Sequence, residues 1–145
     1  MRLALAEAER AAARGEVPVG AVLVEGRGSV VLAAAGNRVE ELGDVTAHAE
    51  LLVIRAAAAR RRRGRRLDGC DLYVTLEPCA MCAAAVSFAR IRRVYFGAYD
   101  PKMGGVEHGA RIFSQPTCHH RPEVIGGISE TAAATLLKAF FSQRR

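Results

Sequence analysis

Two short clusters, His48-Ala49-Glu50 and Pro78-Cys79-Ala80-Met81-Cys82, contain residue types that bind metals and move protons. Cys79 and Cys82 are three positions apart, so on a helix they share one face of a turn. Pro78 favours a helix start here, which would place both thiols at the positive end of the helix dipole. That end stabilises thiolate, the form of cysteine that binds a metal. We therefore predict a metal site where this helix begins.

His48 is the candidate for a third ligand. Three protein ligands would leave the fourth position of a tetrahedral zinc ion open for water, as hydrolytic zinc sites require. Glu50 is predicted to take a proton from that water and deliver it to a leaving group. Both side chains can reach one point if His48 stands at a helix entrance, where the backbone is not yet helical.

Each part of this pattern has an ordinary explanation when it is taken alone. A Cys-x-x-Cys pair can be a redox couple or two small core residues, and a histidine in an alanine-rich segment is commonly core or surface. The joint occurrence of His, Glu, Pro and both Cys in this order favours the zinc site. We predict one Zn²⁺ per chain, with His48, Cys79 and Cys82 as ligands and Glu50 as the catalytic residue.

The composition is that of a single globular domain spanning residues 1–145. Half of the residues are apolar and a quarter are charged, which suffices to bury a core. No run of about eighteen apolar residues is present, so no membrane span is expected. Charged residues interrupt the apolar N-terminal stretch, which argues against a secretory signal. Only Cys70 and Cys118 remain beside the proposed ligands, so no disulfide framework is expected, and we expect a cytoplasmic protein.

The formal net charge of +6 depends almost entirely on arginine. A basic balance fits a polyanionic partner such as nucleic acid, although an arginine bias also follows from genome composition. Six arginines fall within residues 60–66. Such a run is compatible with a nucleic-acid patch, but cations suit the C-terminus of a helix and are commonly just solvated. We interpret it as a solvated helix end.

Hydrophobic periodicity and turn residues predict the elements that position these clusters. Helices are predicted at residues 3–14, from about 46 to the arginine run, at 79–89 and from 130 onward with Ser129 as its cap. Strands are predicted at 18–24, 30–35, 71–76, 93–98 and 123–126, the first two as a hairpin. This order predicts an α/β fold of three α/β/α layers, with a mixed five-stranded sheet, helices on both faces and the zinc ligands at helix starts.

Further segments accompany the two clusters and carry a family resemblance. They are residues 15–22 (GEVPVGAV), 36–38 (GNR), 46–50 (TAHAE), 75–82 (TLEPCAMC) and 96–102 (FGAYDPK), followed by Gly126-Gly127 and by Phe140-Phe141 with the terminal arginines. With them the chain resembles, end to end, the bacterial tRNA-specific adenosine deaminases, which have the cytidine-deaminase fold. The zinc motif marks the wider superfamily only, whereas the flanking segments and the Phe-Phe ending point to the tRNA branch.

The resemblance implies hydrolytic deamination of adenosine to inosine at the wobble position of tRNA anticodon loops. It implies a homodimer whose partner is a tRNA anticodon stem-loop, with no DNA or membrane partner. Carried over by position, Asn37 would hydrogen-bond the base, and Asp100 and Lys102 would lie along the RNA. His119 stands at a position implied to contact the pocket or a flanking base, where related sequences often have Asn. Residues 107–109 (EHG) also depart from the small residues common there.

The last helix has two interpretations. Phe140 and Phe141 are adjacent, hence about 100° apart on a helix, and cannot both face the core centre. In one interpretation Phe140 is core and Phe141 packs at its edge. In the other, one ring and the Arg144-Arg145 tail form a wall for RNA, with a base stacked on the ring and arginines at phosphates. Phe141 and Arg144 are therefore candidate substrate-binding residues.

Two other functions are compatible with the sequence. The same zinc chemistry would serve a deaminase of a free base or nucleoside, such as guanine, cytosine or cytidine, although such an enzyme has no use for a basic, aromatic tail. A catalytically silent RNA-binding or partner subunit is the second alternative. Glu50 argues against it, since loss of the proton shuttle is the simplest route to silence.

Overall fold

A mixed five-stranded sheet forms the centre of the computed structural model, which describes residues 1–26, 30–61 and 66–144. The strands are β1 (Gly20–Glu25), β2 (Val30–Gly36), β3 (Cys70–Leu76), β4 (Arg93–Ala98) and β5 (Glu123–Ile125). Their order across the sheet is β2-β1-β3-β4-β5. β1 pairs antiparallel with β2 and β3, whereas β3, β4 and β5 run parallel. The predicted hairpin and mixed sheet are confirmed.

Helices cover both faces of this sheet, as predicted. They are α1 (Arg2–Ala13), α2 (Val39–Leu42), α3 (Ala49–Arg60), α4 (Ala80–Ala89) and α5 (Glu130–Ser142), with a 3-10 turn at Ile112–Ser114. α1 and α5 pack on one face, and α3 and α4 on the other. The short α2 and the 3-10 turn were not predicted, because one turn of helix is too short to show a hydrophobic period.

Strand β1 shows why two helical layers form. Its residues are apolar throughout, and side chains along a strand alternate between the two faces. Ala21 and Leu23 pack with Val53 of α3 in the main core cluster. Val22 packs on the opposite face with Ala4 of α1. An all-apolar central strand therefore provides two interfaces, one for each layer.

Two of the predicted helix boundaries involve residues with positive φ. Gly15 follows α1 with φ 82°, the left-handed conformation that glycine adopts without strain, so it ends the helix as predicted. Ser129 stands at the N-cap of α5, as predicted. It has φ 57° and its side chain makes no capping hydrogen bond. Ser129 therefore stands where the helix begins but does not cap it through its hydroxyl group.

The described residues of the arginine run contact the protein itself. Arg60 donates from Nη1 to the carbonyl of Leu32 on the edge strand β2 at 2.9 Å. Arg61 forms an ion pair with Glu25 at 2.7 Å, between Nη2 and Oε1. Residues 62–65 lie outside the described part of the chain, so the interpretation of the whole run as a solvated helix end stays a prediction.

Among the described helices, none is long and apolar enough to cross a membrane. None of the four cysteines, all of which lie in the described part of the chain, forms a disulfide.

Candidate active site

The two sequence clusters meet because α3 and α4 begin next to each other. His48 is the N-cap of α3, with extended backbone at φ −72° and ψ 149°. Cys79 is the N-cap of α4, with φ −68° and ψ 171°. Glu50 and Cys82 lie in the first turns of these helices. Pro78 directly precedes the N-cap of α4, at the start of the helix as predicted. The helix begins at Ala80, one residue later than predicted, because the backbone of Cys79 is still extended.

The side chains of His48, Cys79 and Cys82 converge on one point. Nδ1 of His48 lies 3.6 Å from Sγ of Cys79 and 3.5 Å from Sγ of Cys82. Zinc–sulfur bonds of about 2.3 Å and zinc–nitrogen bonds of about 2.0–2.1 Å, arranged tetrahedrally, place nitrogen and sulfur about 3.6 Å apart. The observed spacing therefore fits a zinc ion with a fourth position for water.

The three candidate ligands shift one another's pKa values. Hydrogen bonding from Cys82 lowers the pKa of the Cys79 thiol to about 4. The pKa of Cys82 is raised by its contact with Cys79 and by burial. The hydrogen bond to Cys79 also raises the pKa of His48. Two sulfurs and an imidazole nitrogen form the soft ligand set that suits Zn²⁺.

Glu50 is buried beside these ligands and has one oxygen without a partner. The residue is only 3% exposed. Within residues 1–26, 30–61 and 66–144, its Oε2 is the one buried side-chain oxygen or nitrogen with no hydrogen bond. An unpaired buried carboxylate oxygen is costly, so this atom is placed to meet a proton donor at the site. Burial raises the pKa of Glu50 to about 7, which suits a group that accepts and returns protons near neutral pH.

A cavity of about 580 Å³ opens onto this group, a volume typical of small-molecule sites. Its walls include Glu16, Asn37, His48, Asp100, Met103 and Arg144. The cavity thus brings the metal-ligand cluster and Glu50 together with side chains from the two ends of the chain.

Three of the six predicted substrate-binding residues line this cavity. Asn37 is buried, and its Oδ1 accepts a hydrogen bond from the backbone N–H of Ala49 at 2.9 Å, so its amide NH₂ is the part that can serve a ligand. Asp100 lines the cavity, and its Oδ1 accepts the backbone N–H of Met103 at 3.0 Å. Arg144 is the third. Their roles toward a substrate stay predictions.

The other three predicted contacts lie outside the cavity wall. Lys102 is exposed on the loop that follows Asp100. The ring of His119 lies 5.6 Å from that of Phe88 and lines a separate cavity of about 180 Å³ beside α4. Phe141 is half exposed on α5. The structure does not bring these residues to the metal-ligand cluster of this chain, and their contact with RNA stays a prediction.

The tail of the chain is anchored through Arg144. Phe140 is buried, as the first interpretation of the last helix predicts. The Arg144 guanidinium lies 4.0 Å from the centre of the Phe140 ring, and its Nη2 donates to the carbonyl of Gly15. The C-terminus is thereby joined to the loop that follows α1. Arg145 lies outside the described residues.

Two buried carboxylates in the cavity wall, those of Glu16 and Glu77, were missed by the sequence reasoning. Oε1 of Glu16 accepts the backbone N–H of Glu41 at 2.9 Å and so connects α2 to the loop after α1. Glu77, directly before Pro78, accepts several backbone N–H groups of the loop after β4. An acidic residue inside an apolar segment is a signal that could have found both, because a carboxylate is rarely buried without partners.

A family model of zinc-binding deaminases matches this chain, in agreement with the candidate zinc site. The family model described as cytidine and deoxycytidylate deaminase zinc-binding region matches residues 1–98. The tRNA-specific adenosine deaminase of Agrobacterium fabrum is 60% identical over 146 residues, covering 100% of this chain and 93% of the relative.

Solved structures of deaminases also resemble this chain. One, from biochemical and structural studies of A-to-I editing by tRNA:A34 deaminases at the wobble position of transfer RNA, matches with a TM-score of 0.90 and 61% identity, over 94% of this chain and 97% of that one. A guanine deaminase from Bacillus subtilis matches less well, with a TM-score of 0.65 and 28% identity over 99% of this chain and 90% of that one. The chain belongs to the tRNA-specific adenosine deaminase family, within the deaminases that share the cytidine and deoxycytidylate deaminase zinc-binding region.

Proposed function

We propose that this chain is a single zinc-dependent deaminase domain that converts adenosine to inosine at the wobble position of tRNA anticodon loops. One observation carries the proposal. The Nδ1 of His48 and the Sγ atoms of Cys79 and Cys82 converge beside buried Glu50 on the wall of a large cavity. The 60% identity to a tRNA-specific adenosine deaminase supports the choice of substrate.

His48, Cys79 and Cys82 would hold Zn²⁺, which would supply a water with a pKa low enough for hydrolysis near neutral pH. Glu50 moves the protons of the reaction. Its unpaired Oε2 would accept a proton from the attacking water, protonate the adenine ring, and pass a further proton to the departing ammonia. Water is consumed and ammonia is released, so adenosine becomes inosine without an added reductant or oxidant.

The target base must leave its stack to enter the cavity. An anticodon loop permits this at less cost than a duplex, because its bases are already unpaired. We propose that the NH₂ group of Asn37 orients the base, and that Asp100, Lys102 and Arg144 contact the nucleotides around it. The net charge of +6 supports a polyanionic partner.

We also propose that the chain acts as a homodimer in the cytoplasm. Phe88 on α4 is 68% exposed, and it lines the second cavity with Ile112. An exposed aromatic side chain beside an apolar depression supports a contact between protein surfaces. His119 lies in the same cavity, which would bring it near a second copy.

A substrate comparison tests the proposal against free-base deamination. The zinc-loaded chain is incubated with an anticodon stem-loop that has adenosine at the wobble position and, separately, with free adenosine, cytidine and guanine. We expect inosine in the stem-loop and little ammonia from the free compounds. Faster ammonia release from guanine than from the stem-loop would favour the free-base alternative.

A further inference from the structure

The carboxylate of Glu77 is the hydrogen-bonding centre of the loop that follows β4. Glu77 is only 2% exposed. Its Oε1 accepts three consecutive backbone N–H groups, those of residues 106–108, at 2.8 to 3.3 Å. Its Oε2 accepts the backbone N–H of Asp100 at 3.0 Å and lies 2.7 Å from Nδ1 of His108. One carboxylate therefore fixes both ends of residues 100–108.

These contacts use the full hydrogen-bonding capacity of Glu77. Two carboxylate oxygens offer about four acceptor sites, and five donors of the loop converge on them. Little capacity is left for a substrate or a proton to be transferred. Glu77 is thus distinct in role from Glu50, whose Oε2 has no partner.

The loop held by Glu77 forms part of the cavity wall. Asp100 and Met103 of this loop line the cavity. The loop also packs directly on the start of α4, since Gly105 donates its N–H to the carbonyl of Pro78 at 2.8 Å. A Cβ atom at Gly104 would lie 2.6 Å from the Glu77 carboxylate, so no side chain fits between the loop and this group.

We propose that Glu77, together with His108, is a positioning residue that holds residues 100–108 in the shape that receives RNA. The pair acts through the loop, on the binding of the anticodon stem-loop, and takes no part in proton transfer. This inference rests on the proposed function, from which it takes its substrate.

Kinetics of Glu77→Gln test the inference. Glutamine replaces one oxygen by an NH₂ group, which cannot accept a hydrogen bond, so at least one loop N–H loses its partner. We expect the zinc content and kcat to change by less than about twofold, while KM for the wobble-adenosine stem-loop rises about tenfold, as when binding alone is lost. Glu107→Gln is the matched control, because it removes the same charge from the same loop and keeps the backbone N–H that Glu77 accepts.

A pair of variants at His108 tests the same contact with less risk to folding. His108→Ala removes the ring and should raise KM about threefold or more, in the range of one lost hydrogen bond. His108→Asn should restore KM, because the amide nitrogen of asparagine stands close to where Nδ1 stands in histidine and donates as it does.

Amide hydrogen exchange of residues 100–108 supplies a readout that does not depend on activity. Exchange should be faster in Glu77→Gln and His108→Ala than in the wild type, Glu107→Gln and His108→Asn. Unchanged exchange and unchanged KM in the first two variants would overturn the inference, as would a loss of zinc in step with activity. If the wild type forms no inosine in the stem-loop, the proposed function fails instead, and the exchange data still decide whether Glu77 holds the loop.

Discussion

Nδ1 of His48 and Sγ of Cys82 lie 3.5 Å apart although 34 positions separate the two residues in the chain. The contact arises because α3 and α4 pack on the same face of the sheet and against each other. His48 precedes the first turn of one helix, and Cys82 lies in the first turn of the other. The candidate ligand set is thus built from two helix starts on the same face of the sheet.

Removal of a thiol should remove the metal. The wild-type chain should contain about one zinc, since one group of suitable ligands is present among the described residues. Cys82→Ala should lose most of it, as measured by elemental analysis of the purified protein. Cys118→Ala, which removes a thiol outside the group, should keep its zinc. Full zinc occupancy in both Cys82→Ala and Cys79→Ala would contradict the ligand assignment.

Glu50→Gln should impair proton transfer without removing the metal. Glutamine keeps the shape of the side chain but cannot shuttle protons, so zinc content should stay while the deamination rate falls at least about a hundredfold. Single-turnover kinetics on the stem-loop measure this rate. The control is Glu9→Gln, at an exposed position of α1. Near-normal turnover of Glu50→Gln would mean that another group moves the proton.

Asn37→Ala should affect both stability and binding. Oδ1 of Asn37 accepts the buried backbone N–H of Ala49, so its removal should lower the free energy of unfolding by about 1–3 kcal/mol. Denaturant titration measures this change. The stem-loop KM should rise as well, because the NH₂ group proposed to orient the base is lost. A variant with wild-type stability and KM would show that Asn37 has neither role.

Arg144→Ala tests whether the anchored tail also meets RNA. The loss of the contact with the Phe140 ring and of the hydrogen bond to Gly15 should lower stability by about 1 kcal/mol. If Arg144 also neutralises a phosphate, the slope of log K against log salt should fall by about one unit. Arg10→Ala on α1 is the control. An unchanged salt slope would show that Arg144 packs against the protein and does not neutralise a phosphate.

Most elements of the fold could be predicted because their signals are local. The apolar run of β1, Gly15 after α1 and the two metal-binding clusters each lie within a few residues. The contacts that shape the cavity are not local. Arg144 reaches Gly15 across 129 positions, and the partners of Glu77 lie 23 to 31 positions further along the chain. Spacing in the sequence does not show which distant loop a buried carboxylate will hold.

The placement of single side chains could not be predicted from the sequence either. His119 could be assigned to a substrate site only by resemblance, and its position beside Phe88 could not be predicted from the sequence. Helical geometry left two alternatives for the roles of Phe140 and Phe141. Which ring is buried depends on how α5 is rotated against β4, and that rotation is set by packing across the whole sheet.

Position-resolved detection of inosine tests the central claim most directly. The zinc-loaded chain is incubated with two anticodon stem-loops that both contain other loop adenosines, one with adenosine and one with guanosine at the wobble position. Nuclease digestion and mass spectrometry then locate each inosine. We expect inosine at the wobble position of the first stem-loop and none in the second. Inosine at the other loop adenosines, or none at the wobble position, would contradict it.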